Sequence, residues 1–95
     1  VAKVELSAHA VANLDRMILT HSLPADTRPR MQHSLRALEL FPLMGRQLDG
    51  VWGSFRCLIG PWRWMLIVYV YDQPRDAVVV VTIQDARSST AATSA

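Results

Sequence analysis

Residues 55–87 read FRCLIGPWRWMLIVYVYDQPRDAVVVVTIQDAR. β-Branched and aromatic residues dominate, and turn residues break the run twice, at Gly60–Pro61 and in the segment DQPRD. This pattern predicts three strands, over Ser54–Ile59, Trp62–Tyr71 and Ala77–Gln84, joined by a turn at Gly60–Pro61 and a hairpin loop at Asp72–Asp76. Arg56, Arg63 and Arg87 lie inside this apolar sequence or at its end. A guanidinium is costly to bury, so the position of each has to be explained by a partner or by exposure.

Upstream the periodicity changes. Val4 and Leu6 alternate with Lys3 and Glu5, which predicts a short strand within Val1–Leu6. Ser7 is placed to cap a helix carrying Val11, Leu14 and Ile18 on one stripe, and Leu23–Pro24 ends it. Asp26 opens a second helix with Pro29 in its first turn. Met31, Leu35 and Leu38 form its stripe, and Phe41–Pro42 stops it. So short a connection predicts an antiparallel helix hairpin. A further short strand is expected at Gln47–Val51. The small polar tail, residues 88–95, is expected to be disordered.

The order β-α-α-β-β-β-β predicts an α+β domain over residues 1–87. An N-terminal strand is followed by a helix hairpin packed on one face of a mainly antiparallel twisted sheet, leaving the other face partly open. At 95 residues and 51% apolar, the chain builds one domain with one core. The formal net charge of +2 permits an anionic partner without requiring one. The single cysteine, Cys57, excludes an internal disulfide and a cysteine-based metal cluster, and favours a reducing cytoplasm. No secretory leader is visible at the N-terminus, and the apolar runs are too short to span a bilayer.

Period two along Trp62–Tyr71 separates Trp62, Trp64, Leu66, Val68 and Val70 from Arg63, Met65, Ile67, Tyr69 and Tyr71. The first set is wholly apolar and is expected to face the helices, which turns Arg63 to the open face. Phe55, Cys57 and Ile59 are expected to join the core face, with Arg56 opposite, beside Arg63. The repeated valines of 78–81 leave the register of the last strand open. Intrachain pairing of each arginine with Asp49, Asp72, Asp76 or Asp85 is the alternative to an external anion. His9, His21 and His33 lack metal-ligand spacing and read as helix-surface residues. Cys57 reads as a buried small apolar side chain.

The ordered features resemble the RelE/ParE superfamily of bacterial type II toxin–antitoxin toxins. They are the element order, the Leu23–Pro24 break, the P-x-x-G of Pro42 to Gly45, the R-x-L-x-G-x-x-R of Arg56 to Arg63, and a last strand closing in Asp-Ala-Arg87. The resemblance implies a small cytoplasmic toxin neutralised by a cognate antitoxin, with no cofactor, no metal and no membrane. One branch of the family cleaves mRNA in the ribosome; the other inhibits DNA gyrase. Arg56, Arg63 and Arg87 match the family's basic positions, which in the ribonuclease branch hold the scissile phosphate. Asp85, Tyr69 and Trp52 are supporting candidates, with Asp49 and Tyr71 as further proton-transfer candidates. The basic side of the second helix, Arg28, Arg30 and Arg36, is the expected antitoxin contact. The usual proton-transfer residue after the last arginine is missing, since Arg87 is followed by SSTAATSA. Three outcomes stay open: a ribonuclease, a gyrase inhibitor without chemistry of its own, or an inert relative that serves as a protein-interaction module.

Overall fold

The computed structural model describes residues 1–88 and 91–93. Strand β1 spans Lys3–Leu6, helix α1 Ala8–Thr20, helix α2 Thr27–Leu40, and strands β2 to β5 Arg46–Gln47, Arg56–Ile59, Met65–Asp72 and Ala77–Asp85. The five strands form one sheet in the order β1-β5-β4-β3-β2. β1 runs parallel to β5, and the other pairs are antiparallel. The helix pair carries the chain from β1 at one edge of the sheet to β2 at the other, and the meander β2 to β5 then returns to pair with β1. α1 packs along β5, and α2 lies against β1.

Ser7 caps α1 as its position predicts: its hydroxyl oxygen accepts from the Ala10 N–H at 3.0 Å. The same hydroxyl donates to the Val81 carbonyl at 3.0 Å. Val81 is the extra residue of a bulge, because Val68 pairs with Thr82 and Tyr69 with Val80. The bulge resolves the run of valines. Val78 and Val80 face the helices before it and Ile83 after it, so the parity changes at Val81. Asn13 secures the far side of the bulge. Its Oδ1 accepts from the Thr82 hydroxyl at 2.7 Å and from the Ile83 N–H at 3.2 Å.

The helix-side core gathers Ala10, Leu14, Met31, Leu35 and Leu38 onto Met65, Ile67 and Tyr69 of β4. Val11, expected on the buried stripe of α1, is 45% exposed, and Ala10 takes its place. The expected faces of β4 are also reversed. Leu66 and Val68 point to the opposite side and form a second cluster with Cys57 and Leu48, covered by Trp52, Phe55 and Ala92. On β3, Leu58 packs toward the helices, Cys57 away from them, and Ile59 is exposed.

The reason is local. Trp62–Trp64 do not belong to β4. The Met65 N–H donates to the Trp62 carbonyl at 2.9 Å, which closes a turn, and the Gly60 N–H donates to the Met65 carbonyl at 2.8 Å. A parity counted from Trp62 therefore does not carry into the strand. Trp62 and Trp64 still reach the helix-side core, but from the turn.

The predicted strand at Gln47–Val51 is shorter and earlier, because Gly50 adopts a left-handed φ of +63° and starts a 3₁₀ turn, Gly50–Trp52. Of the tail, Ala91 and Ala92 are buried, and the Ala92 N–H donates to Gln84 Oε1 at 2.7 Å. Residues 89, 90, 94 and 95 lie outside the described residues, so the expectation of disorder is not addressed there.

Burial on both sides of β4 yields a prediction. Ile67→Ala and Leu66→Ala, one on each face, should each cost about 2–5 kcal/mol in urea denaturation. A parent-like midpoint for Leu66→Ala would show that the second cluster is not a core.

Candidate functional site

The three arginines do not form one patch. Arg56 stands opposite Tyr69 on β3, on the helix side of the sheet. Its Nη1 donates to the Gly45 carbonyl at 2.9 Å and the Leu43 carbonyl at 3.3 Å. The loop that follows α2 is thereby tied to the sheet. Gly45 is required there: a Cβ would lie 2.6 Å from Tyr69 Oη and 2.7 Å from the Cys57 carbonyl oxygen. The Gly45 N–H donates to Tyr69 Oη at 2.9 Å. Tyr69, expected on the open face, is fully buried, and burial pushes its phenol up. Arg56 and Tyr69 thus anchor this loop.

Arg63 and Arg87 belong to the other end of the sheet, where Met65 pairs with Asp85. That point is four residues along β4 from Tyr69, about 13 Å at 3.3 Å per residue. Arg63 lies in the β3–β4 turn, exposed and without a hydrogen bond or ion pair among the described residues. Arg87 is exposed too, but Asp85 engages it. Its Nε and Nη2 donate to the two Asp85 carboxylate oxygens at 2.9 and 2.8 Å, and its guanidinium carbon sits 4.9 Å from the Trp64 ring centroid. Intrachain pairing, the alternative weighed for all three arginines, therefore holds for Arg87 alone.

The turn is a row of aromatic faces and cations. Arg30 of α2 lies 4.9 Å from the Trp62 ring centroid and also pairs with Asp26 at 2.8 Å. His21, at the end of α1, stacks on Trp64 with centroids 4.7 Å apart and planes 17° from parallel. Its Nε2 is 3.5 Å from Asp85 Oδ2. A cleft of about 270 Å³ opens beside this corner, lined by Asn13, Arg16, Thr20, His21, Gln84 and Asp85 among others. In the sequence His21 reads as a helix-surface residue. Helical spacing gave no sign of it, because its partners come from a turn and a strand end far along the chain.

Hydrogen bonds from the Arg87 side chain and backbone N–H hold the Asp85 carboxyl well below the usual carboxylate range. Asp85 is therefore an orienting anion and a poor base. Tyr71 donates to Asp76 Oδ1 at 2.6 Å, and that bond pushes its phenol up. Trp52 packs edge-to-face on Phe55 at 5.6 Å, over the second cluster. Asp49 is exposed, beside the 3₁₀ turn at Gly50–Trp52. On α2, Arg28 pairs with Asp15 across the helix hairpin. Arg36 is exposed and unpaired among the described residues. No group of three or more potential ligands that could hold a metal ion occurs among the described residues, and no helix is long and apolar enough to cross a membrane.

The depressed pKa of Asp85 fixes the sign of a pH effect. The stability contributed by ionised Asp85 is complete above its unfolded value, about 3.9, and is lost as the pH falls through the lower folded value. The stability difference between the parent and Asp85→Asn should be present at pH 5 and shrink below about pH 4 in urea titrations. A difference that grows on acidification would contradict the pairing.

No family model matches the sequence, and no curated protein is significantly similar to it. Solved structures do match. A chain of the intact E. coli RelBE toxin–antitoxin complex superposes with a TM-score of 0.69 at 11% identity, covering 93% of this chain and 100% of its own. The isolated E. coli RelE toxin gives a TM-score of 0.69 at 14% identity, covering 95% and 89%. A toxin–antitoxin complex of Mycobacterium tuberculosis gives 0.61 at 19% identity, covering 88% and 96%. Two helices on a five-stranded mixed sheet, in this order and connection, give the chain the fold of the RelE toxins.

Proposed function

We propose that this chain is the toxin of a toxin–antitoxin pair and that it cleaves messenger RNA. The observation that carries the reading is the Trp62–Arg63–Trp64 turn. Between two tryptophans in sequence it carries an exposed arginine that is unpaired among the described residues, and each indole has a further arginine over its face. Guanidinium groups match phosphate, and aromatic faces with arginines suit single-stranded RNA. Positive charge fixed at such a corner stabilises the charge that develops on a phosphate as a 2′-hydroxyl attacks it. Arg63 and Arg87 are assigned to that phosphate, with Arg87 delivered by Asp85. Arg56 is assigned to loop anchoring. The likeness to RelE toxins supports the toxin role.

The antitoxin is assigned to the other end of α2. Leu40, Phe41, Leu43 and Met44 form an exposed apolar ridge, with Leu40 and Phe41 each 63% exposed. Arg36 lies one helical turn before Leu40, and Arg46 follows the ridge, both exposed. A partner segment with apolar anchors and flanking carboxylates fits this surface. Arg30, held on Trp62 about ten residues or 15 Å away, belongs to the RNA corner.

Two variant classes separate these assignments. Arg63→Ala and Arg87→Ala should melt within about 4 °C of the parent, since they are exposed. They should lose about 10²–10³-fold in mRNA cleavage and lose growth arrest when expressed alone. Phe41→Asp should keep growth arrest but escape rescue by the co-expressed antitoxin. Arrest that depends on Arg63 without cleavage of mRNA, free or on ribosomes, would replace the ribonuclease reading with inhibition of a target such as DNA gyrase. Full arrest by Arg63→Ala would remove the corner from the function.

A further inference from the structure

The ribonuclease reading still needs a group that protonates the leaving oxygen. Asp85 is held as a carboxylate by Arg87, the Tyr69 hydroxyl is buried against the Gly45 N–H, and Tyr71 is bound to Asp76. The corner that holds Arg63 and Arg87 contains one other titratable side chain with the right connections, His21.

The contacts around His21 fix the orientation of its ring. The Thr20 hydroxyl donates its only hydrogen to the Arg16 carbonyl at 2.9 Å. Thr20 Oγ1 can then only accept from His21 Nδ1, which is 2.9 Å away, so Nδ1 carries a hydrogen. Nε2 faces Asp85 Oδ2, also an acceptor, at 3.5 Å. Acceptors therefore face both ring nitrogens, and at 3.5 Å the carboxylate orients a hydrogen on Nε2 without holding it in a tight bond. The Trp64 stack fixes the ring plane, and the side chain keeps 31% of its exposure. His21 also lines the cleft beside the corner, with Arg16 as a further cation there.

We propose that His21 is the general acid of this site and gives its Nε2 proton to the 5′-oxygen that leaves during RNA cleavage. The assignment rests on the ribonuclease reading above. The 2′-oxygen loses its proton to solvent water and bonds to phosphorus as the P–O5′ bond breaks. The departing 5′-oxygen takes the proton from Nε2, and water then reprotonates the ring. The products are a 2′,3′-cyclic phosphate and a 5′-hydroxyl. Thr20 and Asp85 act as positioning residues through the ring.

The test compares two leaving groups. Short mRNAs are presented to the purified protein free and on programmed ribosomes. One has ordinary phosphate at the cleaved position, the other a bridging 5′-sulfur. A thiolate leaves without a proton, so the sulfur substrate does not need the acid. His21→Gln keeps polar atoms near Thr20 and Asp85. It should cleave the all-oxygen RNA about 10²–10⁴-fold more slowly, and the sulfur RNA within about threefold of the parent. That sulfur reaction also shows that the variant is folded. Parent-like cleavage of both RNAs by His21→Gln, or an equal loss on both, overturns the assignment while leaving the ribonuclease reading intact. If the parent cleaves neither RNA in either setting, the ribonuclease reading fails and the assignment fails with it.

Discussion

The turn between β3 and β4 is held by two backbone hydrogen bonds, Met65 N–H to the Trp62 carbonyl and Gly60 N–H to the Met65 carbonyl. These bonds fix the first residue of β4, and so decide which side chains of the most buried strand meet the helices. With Met65 as the first residue, Met65, Ile67 and Tyr69 enter the helix-side core, while Leu66 and Val68 build the second cluster. The same turn lifts Trp62 and Trp64 off the pleat. One then meets Arg30 at the start of α2 and the other meets His21 at the end of α1. A slip of one residue would exchange the two faces of β4 and dismantle both contacts.

The arginines in the apolar half resolve into two physical situations. Arg56 is held by carbonyl oxygens of the loop after α2, where it satisfies acceptors that would otherwise lie near the sheet without donors. Gly45 and Tyr69 complete that anchor, since only a glycine lets the loop approach the phenol so closely. Arg63 and Arg87 remain near solvent at the opposite end. Arg87 is placed there by the Trp64 face and the Asp85 carboxylate, which cost little desolvation.

Asp85 links the elements of that corner. It ends β5, accepts two side-chain hydrogen bonds from Arg87, and faces His21 from α1. Because Arg87 keeps it ionised, Asp85 orients its neighbours and does not exchange protons itself. Upstream on β5, the bulge at Val81 is clamped by Ser7 and Asn13 of the α1 region. That clamp fixes α1 on the strand end and so brings His21 within reach of Asp85.

By itself the sequence determined the element order, the two helices with their stops, the hairpin at Asp72–Asp76 and the burial of Leu35 and Leu38. These follow from local causes: capping side chains, proline geometry, and apolar spacing within one unbroken element. It also marked Arg63 and Arg87 as exposed charges beside a strongly apolar strand, but grouped Arg56 with them, which the structure ties to the loop after α2. The faces of β4 were decided only in three dimensions, because parity propagates only along a continuous pleat and the turn at Trp62–Met65 interrupts it. The bulge at Val81 interrupts it again on β5. The separation of Arg56 from the other two arginines follows from strand direction: Arg56 opens β3, whereas Arg63 lies in the turn at the far end of β3 and Arg87 follows β5 at the same end, where Met65 pairs with Asp85. His21 was invisible to spacing altogether. Its significance comes from Thr20, Trp64 and Asp85, which three different elements bring together once the helix hairpin docks on the sheet.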